Sequence, residues 1–124
     1  MRTEDTEDGP LEIWSVEEVR EAFDAGQIAL IDVRTPQEYM FEHVEGALLL
    51  PMAFFVAEKL PAQDGKRIVF HCGSGARSEK VARKALAAGL QPVAHMEGGF
   101  AAWKKAGHPH IATDMTTGGP KRVA

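Results

Sequence analysis

Two apolar runs limit the fold of this chain more than any other feature. QIALIDV (residues 27–33) and RIVFH (67–71) are short, and each carries a continuous apolar run that reaches a polar residue, Asp32 and His71. Their length suits strands covered on both faces rather than strands with one wet side. Helical patterns alternate with strand-like runs along nearly the whole sequence. That order predicts an α/β fold, a parallel sheet with helices on both faces. In such sheets ligands bind beyond the carboxyl ends of the strands. Asp32 and Cys72 are the residues that stand there.

The helices announce themselves by their starts. Ser15 and Glu18 form a capping-box pattern, and Val16, Val19 and Phe23 then fall near one helical face, with Gly26 as a stop. Thr35 and Glu38 repeat the pattern, with Pro36 at the first helical position, and predict a short helix over PQEYMFEH. MAFFVAEKL, between Pro51 and Pro61, reads as a further helix. A helix over 78–88 places Val81, Ala82, Ala85 and Leu86 on one face and ends at Gly89. GGFAAWKKAG reads as the last one, with Trp103 in the core. LEIWS, GALLL and PVAHM complete the strands, the first as a short edge strand. Residues 1–10 read as a flexible acidic tail, 11–109 as the folded domain, and 110–124 as a weakly structured tail. HPH (108–110) reads as a solvated turn.

Composition bounds the function. The chain has 124 residues, 44% hydrophobic and 26% charged, with a net charge of −4, which is expected of a single globular domain that does not bind nucleic acid. No apolar stretch is long enough to span a bilayer, and the N-terminal residues lack the apolar core of a secretion signal. The single cysteine can make no internal disulfide and no all-thiolate zinc site. A free thiol fits a reducing compartment, so a cytoplasmic location is expected. His43 and His71 have no partners at ligand spacing, so no metal is expected.

That cysteine sits in HCGSGARSEK (71–80), between a strand and a helix. A nucleophilic cysteine must be a thiolate, which requires a lowered pKa. Successive backbone N–H groups in a tight turn converge on a point and stabilise an anion there. Gly73 and Gly75 let the backbone curl. Ser74, Ala76 and Ser78 supply further amides, the helix start adds its positive end, and Arg77 adds a fixed charge. The loop therefore favours negative charge on or just above the sulfur.

Three segments resemble the single-domain rhodaneses, a sulfurtransferase family, over roughly residues 11–109. LIDVRTPQEYMFEHVEGALLLP carries Asp32, Val33, Arg34, His43, Gly46 and Ala47 of the first signature. VFHCGSGARS matches the active-site loop, and MEGGFAAWKKAGHP the closing signature, with Gly98, Gly99, Trp103, Gly107 and Pro109. The resemblance implies a three-layer fold with a five-stranded, mainly parallel sheet. It implies a double displacement in which Cys72 takes a sulfane sulfur from a small donor, such as thiosulfate or a persulfide, and passes it to cyanide, a cellular thiol or a protein acceptor. No cofactor is implied. Gly73 to Ser78 would bind substrate, with Asp32 and Arg34 in support. Asp32 either orients the loop or pairs with Arg34. Gly73 and Ser74 are uncharged where some thiosulfate-using members carry cations, which counts against thiosulfate as the physiological donor. Glu45 replaces a usual proline in a surface turn.

Two other readings compete. A related phosphatase class has five residues between cysteine and arginine; here there are four, Gly73 to Ala76, a tighter cup that suits one sulfur better than a phosphate. The fold also serves as a non-catalytic interaction module, typically with the cysteine lost. Lys80, Arg83 and Lys84 form a basic stripe, read as a solvated face before a docking patch.

Overall fold

The computed structural model describes all residues, Met1–Ala124. A six-stranded sheet forms its centre, in the order β1 (Arg2–Thr6), β2 (Gly9–Trp14), β6 (Val93–Met96), β5 (Arg67–His71), β3 (Ile28–Asp32) and β4 (Leu48–Leu49). Every pair is parallel except β1 with β2. The five parallel strands are those the sequence implied; β1 is additional.

The strands alternate side chains between two cores, as a period of two requires. Val69 of β5, Ile28 and Leu30 of β3, and Ala94 and Met96 of β6 face one layer. That layer contains α1 (Val16–Asp24) and α4 (Gly99–Lys105), packed through Val16, Val19, Phe100 and Trp103. Ile68, Phe70, Ile31 and Val93 face the other layer, where α3 (Ala76–Ala87) lays down Val81, Ala82, Ala85 and Leu86. Both capping boxes form as the sequence predicts, at Ser15 with Glu18 and at Thr35 with Glu38. The second opens α2 (Pro36–Phe41), a short helix with no buried residue.

Several expectations are corrected. Residues 1–10 are not a loose tail: β1 turns at Thr6–Gly9 and pairs along β2, so LEIWS is not the sheet edge. Its polar residues suit an edge strand whose side chains face water. Arg2 and Glu4 tie it to Glu97 and Arg83. The segment 110–124 is a hairpin of β7 (His110–Thr113) and β8 (Pro120–Val123), held to the body by a bridge between Ile111 and His43. HPH is not a solvated turn, since His110 is buried edge-on to Phe100 and His108 lies edge-on to Trp103. MAFFVAEKL forms two 3-10 turns, Met52–Phe54 and Ala57–Lys59, without a side-chain cap. Adjacent aromatic and β-branched residues, Phe54 to Val56, and a proline at each end leave too little to nucleate an α-helix. The helix after the cysteine begins at Ala76, two residues before the predicted start.

Trp103 locks the C-terminal part to the first core: it is 2% exposed, and its Nε1–H donates to the Pro109 carbonyl at 2.9 Å. Trp103→Ala is expected to cost about 3–5 kcal/mol, as large aromatic truncations in cores do. Urea unfolding checks this through the midpoint, and a loss below about 1 kcal/mol would mean that the hairpin and α4 hold without it.

Candidate active site

Parallel alignment brings the carboxyl ends of β3 and β5 together, with Asp32 opposite His71. Cys72 follows β5 directly, at the centre of the sheet, and is 0% exposed. Its sulfur lies inside the turn that leads into α3. The Gly75 N–H donates to Sγ at 3.1 Å, and the thiol reaches Ser78 Oγ at 3.6 Å. Gly75 caps α3 with φ 113°, a conformation that glycine alone adopts freely. Burial pushes the Cys72 pKa up, but the Ser78 amide and hydroxyl and the Gly75 and Ser74 amides outweigh it, and the net shift is downward. The amides of Gly75, Ser78 and Ser74 thus converge on the sulfur, and the charge interaction between Arg77 and the Cys72 thiolate adds to them.

A second element shapes the cup from outside. The Phe100 N–H donates to the Cys72 carbonyl at 2.8 Å, and the Ala101 N–H to the Gly73 carbonyl at 3.1 Å. With both carbonyls turned out onto α4, the following amides are free to turn inward. This docking requires glycine at 99. Its φ is +61°, and a Cβ there would lie 2.5 Å from the Cys72 carbonyl oxygen and 2.6 Å from the Gly73 carbonyl carbon.

Arg77 is not a free cation. Its guanidinium grips Glu38 through two bonds, of 2.7 and 3.0 Å, and lies against Gly73. The Arg77 hydrogen bond holds the Glu38 pKa down to about 2 from 4.5. The pair is thus fully formed above pH 4.5 and is lost only as pH falls through about 2. Glu38 was legible as a helix cap but not as a site residue, because its partner is 39 positions away.

Of the two roles open to Asp32, the geometry realises the pairing with Arg34. Its carboxylate takes the Arg34 backbone N–H and guanidinium at 2.9–3.1 Å, both residues being buried. Arg34 continues to the Glu42 carbonyl and stacks over Phe100. His71, also buried, lies 3.6 Å from Asp32, and desolvation keeps its pKa low against that carboxylate.

Two cavities flank the loop, and Cys72 lines neither. One, of about 410 Å³, includes Ser74, Gly75, Ala76, His95 and Gly98. The other, of about 280 Å³, runs from Thr35 and Pro36 past Arg77 to Met52 and Phe54. Arg83 of the basic stripe is paired with Glu79 and Glu4. No cluster of three or more His, Cys, Asp or Glu side chains is placed to hold a metal, and no helix is long and apolar enough to cross a membrane.

The rhodanese-like domain family matches residues 15–106. An uncharacterised protein, slr1261 of Synechocystis, is 38% identical over 86 residues, covering 69% of this chain and 48% of its own length. The thiosulfate sulfurtransferase GlpE of Coxiella burnetii is 33% identical over 99 residues, covering 80% of this chain and 86% of its own. Among solved structures, a rhodanese-related protein of Thermoplasma volcanium superposes with a TM-score of 0.71 at 22% identity, over 81% of this chain and 97% of that one. A Rhodopseudomonas palustris protein of unknown function, described as a possible tyrosine phosphatase, gives 0.67 at 28% identity, over 79% and 83%. The chain belongs to the rhodanese-like family. It spans about half the length of the slr1261 protein and a quarter of the adenylyltransferase/sulfurtransferase MoeZ of Mycobacterium tuberculosis, another relative.

Gly99→Ala is expected to push the loop off α4 and spoil the convergence of its amides. The alkylation pKa of Cys72 should rise toward that of a free cysteine, with a stability loss of about 1–3 kcal/mol. A pH profile of iodoacetamide labelling checks it; a wild-type profile would show that the α4 contacts do not set the cup.

Proposed function

We propose that the protein is a sulfurtransferase that carries sulfane sulfur as a persulfide on Cys72. The observation that carries this reading is the sulfur at the focus of amides from a four-residue loop. The Cys72 thiolate attacks the outer sulfur of the donor; a new S–S bond forms as the donor's own bond to that sulfur breaks, and the donor remnant leaves with the electron pair. An acceptor nucleophile, a thiolate or cyanide, then attacks the outer sulfur and releases the Cys72 thiolate. Each displacement moves one sulfur, with no net oxidation and no cofactor. The cup stabilises the negative outer sulfur between the two steps.

The donor class follows from the Arg77–Glu38 pair. Gly73 and Ser74 carry no charge, and Arg77 is already neutralised. A dianion such as thiosulfate would have to compete with Glu38 for the guanidinium. A persulfide of a small thiol or a protein brings less charge and needs no such competition. The 280 Å³ cavity beside Arg77, with Pro51, Met52 and Phe54 in its wall, suits the carbon skeleton of such a donor. Since no part of Cys72 is exposed, the glycine-rich loop must part to admit the donor. The phosphatase reading, which the sequence also raised and which the description of the Rhodopseudomonas protein shares, fits less well: the loop is short for a phosphate, and Glu38 occupies the arginine that a phosphate would need.

Incubation with a sulfane donor should add the mass of one sulfur atom to Cys72, removable by cyanide, and Cys72→Ser should abolish both the gain and turnover. A folded protein that never gains the mass would leave the interaction-module reading. Glu38→Gln should free Arg77 and lower the thiosulfate KM by about three- to five-fold, the worth of a partly exposed ion pair, while a persulfide donor changes little. Steady-state titration with both donors checks it; an unchanged or raised thiosulfate KM would remove the charge argument.

A further inference from the structure

The hydroxyl of Ser78 has more neighbours than protons. It lies 3.6 Å from Cys72 Sγ, 3.2 Å from the Gly75 carbonyl and 3.0 Å from His95 Nδ1. A serine hydroxyl has one proton and two lone pairs. If that proton points at His95 or at the carbonyl, nothing from the side chain reaches a thiolate. If His95 carries its own proton on Nδ1, the imidazole donates to Oγ and the hydroxyl proton is left to the Gly75 carbonyl or the sulfur, of which a thiolate, being charged, is the stronger acceptor. His95 is 4% exposed, and its Nε2 is buried with no partner. A proton on Nε2 would therefore be an orphaned buried N–H, whereas a proton on Nδ1 has Ser78 to receive it. Buried orphan donors are rarer than under-satisfied acceptors, so the structure favours the Nδ1–H form.

We infer that His95 is a positioning residue for the sulfur chemistry: from β6 it holds the Ser78 hydroxyl in the orientation that donates to the Cys72 thiolate. Three elements meet in this chain, the end of β5, the first turn of α3 and β6. The sulfur is thus held from one side by backbone amides and from the other by a side-chain donor whose direction a histidine fixes. The charged groups around His95 are Arg2 and Glu4 of β1, Glu79 and Lys80 of α3, and Glu97 after β6. Burial holds the imidazole neutral, and the carboxylates act against it. A neutral ring is what the role requires, because the proton that matters stays on Nδ1 and is never transferred.

The role rests on the sulfur-transfer reading for its consequence in turnover, but thiolate formation is measured by alkylation whether or not sulfur is transferred. His95→Leu and Ser78→Ala should each raise the pKa of Cys72 alkylation and slow labelling at neutral pH by roughly ten-fold, the worth of one hydrogen bond to a charged group. The double variant should be no slower than either single one, because both remove the same bond. His95→Asn, which puts an amide N–H near the Nδ1 position, should label within about two-fold of wild type, whereas His95→Gln, which reaches toward Nε2, should behave like Ser78→Ala. An unchanged profile in His95→Leu, or additive losses in the double variant, would overturn the assignment. If His95→Leu does not fold, the Asn and Gln variants decide: equal behaviour of the two overturns it.

Discussion

The site depends on two hydrogen bonds that do not touch the sulfur. Phe100 and Ala101, in the first turn of α4, take the carbonyls of Cys72 and Gly73. A peptide unit has its N–H and C=O on opposite sides, so fixing those carbonyls outward helps aim the following amides inward. Convergent N–H groups are unfavourable without an acceptor at their focus, and here the Cys72 sulfur is that acceptor. The contacts with α4 help to hold the loop around it. This explains why the Gly98–Gly99 pair lies far from the cysteine in sequence yet against it in space. Gly98 (φ +77°) turns the chain away from the end of β6, and Gly99 (φ +61°) lets α4 begin in contact with the loop backbone.

Charge is handled in two layers around this frame. Asp32 and Arg34 are buried and satisfied by each other, by the Arg34 backbone and by the Glu42 carbonyl. Such a pair contributes little net stability, but removing either partner leaves an uncompensated buried charge. Its effect is to fix the end of β3 against α2 and α4. Glu38 and Arg77 lie further out and are about one-third exposed. There the charges are screened, the bond is weaker, and an arriving anion can contest it. The same acid–base pairing is thus a fixture when buried and a contestable contact at the mouth.

What could be read from the sequence is what is local to it. The capping boxes, the apolar runs and the glycine-rich loop each lie within about ten residues, and each is fixed by steric or hydrogen-bonding rules that need no tertiary context. Glu38 could be seen as a cap but not as the partner of Arg77, and His95 only as a residue in an apolar strand, since its partner Ser78 is 17 positions away on another element. Residues 1–10 and 110–124 read as tails in the sequence for a related reason. Their polar character, in the absence of apolar alternation, resembles that of a tail. Edge strands in water have the same composition, and only the exposed backbone of β2, or of the other hairpin strand, makes them strands. MAFFVAEKL failed in the opposite sense: its apolar content reads as a helix, but Leu50, Met52, Phe55 and Leu60 instead pack irregularly over the α3 core.

The parity of β5 decides which of two adjacent residues enters the amide cup. Ile68, Phe70 and Cys72 share the face covered by α3, and Val69 faces the opposite core. His71 falls on the other parity, beside Asp32. Cys72 therefore lies under the N-terminus of α3, where the amides of Gly75 and Ser78 and the helix end favour negative charge. His71 is kept neutral in the interior by desolvation. A slip of one residue in the pairing of β5 with β3 would exchange them, turning an imidazole toward the amide cup and a thiol toward the buried carboxylate of Asp32. Neither group would then sit in an environment that suits it. The register is held by the five paired positions from Ile28 with Arg67 to Asp32 with His71, and by the two cores that these strands fill. The chemical identity of the site is thus set by the same hydrophobic alternation that builds the sheet.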